Sequence, residues 1–197
     1  MTTISMDLVK ELRDMTGISV MQCRKALEEA GGDKEKAIIL LRKKGAEIAS
    51  KKGDRTLGAG VVASYVHSNK TLGAMVELMS ETDFVSKNAE FMALAYDIAM
   101  QVSATNPDFV RKDEIKEEDK ARAAEVFAKE VEGKPAELKE KILQGKLDAY
   151  FKDKILLEQP FIKNPDFTIA QMIENAIQKF GEKIEIGKFV RMSILEK

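Results

Sequence analysis

The chain has 197 residues, 44% hydrophobic and 33% charged, a globular composition with room for one sizeable domain and a small one. Its 32 Lys and Arg against 33 Asp and Glu leave a formal charge of −1, without the basic excess used in direct nucleic-acid binding. One cysteine and one histidine exclude an intrachain disulfide and Cys- or His-rich metal sites, while the lack of any apolar run of ~20 residues and the charged start "MTTISMDLVKELRD" argue against membrane or secretion and for the cytoplasm.

Leu8, Val9, Leu12 and Met15 recur at helical spacing, "TGIS" interrupts them, and Val20, Cys23, Leu27 and Ala30 form a second stripe. "GGD" supplies a stop and an N-cap at Asp33, and Ala37, Ile38 and Leu41 mark a third helix that closes at "KKG". An N-terminal three-helix domain with its linker is expected over 1–53, because "KKGDRTLGAG", Lys51 to Gly60, is basic and glycine-rich.

A core domain is expected over 54–197. Its first part, "VVASYVHSNKTLGAMVELMS", alternates as two strands around a polar "SNK" turn, with Val62, Ser64 and Val66 on one face and Ala63, Tyr65 and His67 on the other. The next stretch, "ELMSETDFVSKNAEF", turns a corner into a long helix marked by Phe91, Ala95, Ile98, Ala99 and Val102, which ends before "NPD". From about 112 to 154 the sequence is charged and helical, broken at "EGKP". Ala121, Ala124, Phe127, Ala128 and Val131 line one arm and Leu138, Ile142, Leu147 and Phe151 the other, which predicts an antiparallel helical hairpin. After "QPFIKNPDF" come a helix over Ile169 to Phe180 and a third strand in which Ile184, Ile186, Val190, Met192 and Ile194 alternate. The predicted fold is α+β: three helices, then a small antiparallel three-stranded sheet with helices on one face and a helical-hairpin insertion.

Few segments carry chemistry. "GAGVVA", Gly58 to Ala63, fits G-x-G-x-x-A but precedes strands instead of opening a helix, so it is rejected as a dinucleotide site. "GEKIEIGK", Gly181 to Lys188, has five residues between its glycines, lacks the final Ser or Thr, and is read as structural. His67 has no nucleophile or carboxylate placed beside it by a recognisable motif and reads as a surface histidine; Cys23, at helical spacing, reads as a buried small hydrophobe. No catalytic residue, cofactor or metal site of the chain's own is expected. At the corner two readings stay open. Thr82, Asp83 or Ser86 caps the following helix while Phe84 docks inward as a hydrophobic staple, or Phe84 points outward beside Asp83 as an aromatic wedge.

"ELMSETDFVSK" resembles the second signature of bacterial elongation factor Ts, and "LRDMTGISVMQCRKAL" resembles its first. The likeness continues through "ALEEAGGDKEKAIILLRKKG", "ILQGKLDAYFKDKILLEQPF" and "KFVRMSI", and so covers essentially the whole chain. It implies a guanine-nucleotide exchange factor for elongation factor Tu that works by binding, without covalent chemistry. It further implies that Thr82, Asp83, Phe84 and Val85 form a wedge beside the GTPase's magnesium site, and that Val20, Met21, Arg24 and Lys25 grip its nucleotide-binding domain. Met79 and Ser80 depart from the Asn and Cys usual before the second signature, and Arg24 from the usual Lys. Longer members carry two copies of the core. Here one is found, which resembles the second copy through Tyr65, His67 and Gly73 and the first through "TDFV". Asp83 with Phe84 and His67 fall at opposite ends of a strand, so one copy is not expected to reach both contact places. A homodimer, with His67 as a further partner contact, is therefore expected.

Overall fold

The computed structural model describes residues 4–128 and 136–194; Val131 and the break at "EGKP", Glu132 to Pro135, lie outside them. The chain forms two units, Met1–Ala63 with Val76–Asp97 and Ala170–Gly187, and Ser64–Met75 with Ile98–Ile169 and Lys188–Lys197.

In the first unit the three expected helices form as α1 (Met6–Thr16), α2 (Val20–Glu29) and α3 (Lys34–Lys51). Ser5, Ser19 and Asp33 cap them, each side chain accepting from a backbone N–H three residues on, which satisfies donors a helix start leaves orphaned. Gly17, at φ 69°, ends α1 in the left-handed conformation that glycine adopts without penalty. Val9, Leu12, Ile18, Cys23, Leu27 and Leu41 make the core. Cys23 Sγ donates to the Ile18 carbonyl, and burial pushes its thiol above the ordinary value, so it is the packed hydrophobe expected.

Helix α3 runs through Lys43-Lys44-Gly45 and ends at the second such triplet, Lys51-Lys52-Gly53. A Cβ at Gly45 would stand 3.3 Å from Gln178 Oε1 and 3.6 Å from Glu174 Cβ of α8 (Ile169–Phe180). The glycine costs the helix about 1 kcal/mol relative to alanine but permits this close approach.

A three-stranded antiparallel sheet, order β1 (Ala59–Val66), β2 (Leu72–Ser80), β5 (Ile184–Ser193), and the helix α5 (Ala89–Thr105) run through both units. Strand β1 alternates as expected, with Val62, Ser64 and Val66 exposed. On α5, Phe91, Ala95, Ile98, Ala99 and Val102 are all fully buried. The β5 alternation is divided: Ile184 and Ile186 are buried, whereas Val190, Met192 and Ile194 are exposed. After Gly187 the even-numbered positions are exposed and the odd-numbered ones half-buried, and the half-buried Arg191 donates to the Ser103 carbonyl at 3.0 Å.

In the second unit α6 (Glu117–Ala128) packs on α7 (Ala136–Lys154), so the expected hairpin forms. Its core is Ile115, Ala123, Phe151 and Ile155, with Phe109 and Leu147 against them. Ala121, Ala128 and Leu138, expected in the stripe, are exposed, because two helices alone bury only a narrow seam. A short hairpin, β3 (Pro160–Phe161) with β4 (Asn164–Thr168), forms within "QPFIKNPDF" where no strand was expected. Gln101 of α5 holds it: Nε2 donates to Gln159 Oε1 and the Pro160 carbonyl, and Oε1 accepts from Ile162 N.

Candidate functional site

The corner after β2 is built from Ser80 outward. Ser80 is fully buried and its Oγ donates to the Thr82 carbonyl at 3.0 Å. Glu81 Oε1 accepts from the Lys183 amide at 2.5 Å, and both its oxygens accept from Arg55 Nη1 at 3.2 and 3.0 Å. The Lys183 amide first and Arg55 second hold this carboxyl below the ordinary glutamate range. Thr82 gives its amide to Glu182 Oε2 at 3.0 Å and its hydroxyl to Glu182 Oε1 at 2.6 Å.

The one-turn helix α4 (Asp83–Ser86) follows, and the Thr82 side chain makes no capping bond to it, since Glu182 has taken the hydroxyl. Asp83 Oδ2 pairs with Lys87 Nζ at 2.6 Å, and that bond keeps its carboxyl ionised to lower pH than usual. Phe84 is 83% exposed and Val85 is 3% exposed. Val85 therefore fills the inward position that the staple reading gave to Phe84, and it is a support of the corner with no outward face. In the same unit Phe91 and Phe180 meet edge to face, centroids 6.2 Å apart, and Lys179 of α8 pairs with Glu90. A phenylalanine left in water forgoes roughly 1.5–3 kcal/mol of burial, so a ring standing out beside an ionised carboxylate has the features of a contact anchor.

On α2, Val20, Met21, Arg24 and Lys25 occupy the outward side, away from Cys23, Ala26 and Leu27, with Met21 80% exposed. Arg24 Nε pairs with Glu28 at 2.9 Å. His67 lies in the second unit, exposed, its Nδ1 3.0 Å from the Tyr65 hydroxyl. In that unit a concavity of ≈ 380 Å³ opens among Val66, Met75, Val190, Met192 and Ile194, all large, apolar and exposed.

Sequence reasoning missed Arg55, Glu81, Glu182 and Lys183 as residues that hold the corner. "ETDF" shows Glu81 as a polar neighbour only, and its partners stand 26 and 102 residues away, so no local pattern points to them. Among the described residues no group of three or more His, Cys, Asp or Glu side chains is placed to hold a metal ion, and no helix is long and apolar enough to cross a membrane.

The sequence profile of the family described as Elongation factor TS matches residues 23–196. Curated proteins named Elongation factor Ts are similar over nearly the whole chain: that of Desulforamulus reducens is 46% identical over 198 residues, covering 100% of this chain and 91% of the relative. The one from Carboxydothermus hydrogenoformans is 46% identical over 195 residues, 98% and 90%. The one from Thermotoga petrophila is 44% identical over 193 residues, 98% and 97%.

Proposed function

The chain belongs to the elongation factor Ts family, and on that premise we propose that it is a cytoplasmic factor of translation elongation that releases GDP from elongation factor Tu by binding alone. The observation that carries this reading is Phe84, 83% exposed next to the ionised Asp83. Phe84 enters an apolar crevice of the GTPase beside its magnesium and phosphate site, while Asp83 perturbs the cation's surroundings. Burying the ring contributes roughly 1.5–3 kcal/mol, enough to offset a tenfold or greater loss of nucleotide affinity. The coupling is reciprocal: a factor that weakens GDP binding has its own affinity weakened by GDP in the same proportion, so it leaves once a new nucleotide binds. Val20 and Met21 supply apolar contact on the partner's nucleotide-binding domain, and Arg24 and Lys25 supply charge. No cofactor on this chain and no direct nucleic-acid contact enter this mechanism.

The exposed apolar face of Val66, Met75, Val190, Met192 and Ile194 supports a second element of the reading, a homodimer in which two copies cover each other's sheet and the second copy's His67 reaches the GTPase. A patch of this kind on a lone protein is a liability. The test of the whole reading is stopped-flow release of a fluorescent GDP from elongation factor Tu. The native chain is expected to accelerate release and Phe84→Ala to lose most of the effect. Binding without acceleration would leave a non-catalytic interaction module.

A further inference from the structure

We propose that Glu182, on the turn between α8 and β5, is the positioning residue that sets the geometry of the Asp83–Phe84 corner; this rests on the wedge reading of Phe84 and extends it. Residues 81–82 and 182–183 clasp each other reciprocally. Glu81 accepts the Lys183 amide at 2.5 Å, and Glu182 accepts the Thr82 amide at 3.0 Å and the Thr82 hydroxyl at 2.6 Å. Each pair thus gives the other a carboxylate and receives a backbone N–H. The turn is itself anchored: Gly181 stands at φ 71°, its carbonyl accepts from Lys52 Nζ, and Lys183 Nζ donates to the Gly53 carbonyl.

The corner needs such an outside hold. Helix α4 is a single turn of four residues, too short to hold its own shape, and Thr82, which occupies its N-cap position, spends its side chain on Glu182 instead of on α4. The backbone immediately before Asp83 and Phe84 is therefore fixed by a residue 100 positions away. A ring aimed in advance loses less freedom on docking, so more of its burial appears as binding to the disturbed state of the partner.

The test uses the full chain and GDP release at rising factor concentration. Glu182→Ala is expected to lower the limiting rate about ten- to a hundredfold. Glu182→Gln, whose Oε1 still accepts the Thr82 amide and whose Nε2 can donate to the hydroxyl, should restore most of it. In a Phe84→Ala background Glu182→Ala should cost far less, because most of its effect passes through the ring. Amide exchange at Thr82 should quicken in Glu182→Ala while α5 keeps its protection. An unchanged limiting rate in Glu182→Ala, or an equal loss with and without Phe84, overturns the proposal. If Glu182→Ala melts early, Thr82→Val, which removes one of the two bonds at nearly constant shape, replaces it; a wild-type rate there also overturns the proposal. If the native chain releases no GDP, or Phe84→Ala keeps full activity, the wedge reading itself fails. The clasp then stands or falls on Thr82 amide exchange alone.

Discussion

Two neighbouring residues, Phe84 and Val85, divide the work of the corner, one in water and one in the core. Replacing an exposed ring removes little packing, so Phe84→Ala should keep stability within about 1 kcal/mol of the native chain. Phe91→Ala, which empties a fully buried site on α5, should cost about 3–5 kcal/mol. Thermal melts of the two variants check the contrast. Glu174 supplies a pH effect. Burial on the α8 face beside Gly45 pushes its carboxyl above the ordinary value, so the folded state prefers the protonated form. That contribution is present below the unfolded value and is lost as pH rises through the folded one. Glu174→Gln, neutral throughout, should raise the melting temperature at pH 7 by up to about 3 °C. The difference should close as pH falls below about 4, where glutamate becomes protonated in the unfolded chain as well.

At the scale of elements, α2 and α3 each carry a surface that matters. Arg24 is engaged with Glu28 through an exposed pair one helical turn apart, worth about 0.3–0.5 kcal/mol, so releasing it to a partner costs little. If α2 grips the GTPase, reversing charge at Arg24 and Lys25 to Glu should slow association severalfold at low salt and less at high salt, where exposed charges are screened. Equal binding at both ionic strengths would remove α2 from the interface. The inner side of α3 tolerates no bulk at Gly45, where even a Cβ stands 3.3 Å from Gln178 Oε1. Gly45→Val is expected to force α3 off α8 and to destabilise by about 1–3 kcal/mol, read as a lower denaturant midpoint.

At the scale of the whole molecule, the sheet exposes an apolar face of Val66, Met75, Val190, Met192 and Ile194. A symmetric dimer would bury it, with an interface above about 1,000 Å². Light scattering at micromolar concentration should then give about twice the 22.0 kDa of one chain. Met192→Lys, which puts a charge in the middle of the face, should reduce the mass towards one chain. A native mass of one chain with full exchange activity would refute the dimer.

What the sequence determined by itself was whatever has a short period or a short signature. The 3.6-residue stripe on α5 and the alternation of β1 are written in neighbouring residues, as is the cap at Asp33. The family was legible because two long signatures stand in order along the chain. Other features were decided only by tertiary structure, because their partners are far away in sequence. In a one-turn helix no period says which of Phe84 and Val85 faces in; only the folded chain shows Val85 buried and Phe84 exposed. The β3–β4 hairpin exists because Gln101, 58 residues before Gln159, satisfies its backbone. The inversion of β5 after Gly187 follows from which side of each half of the strand is covered. The clasp of Glu81 and Thr82 by Lys183 and Glu182 joins groups whose polar side chains look like any solvated surface until the fold brings them within hydrogen-bond reach.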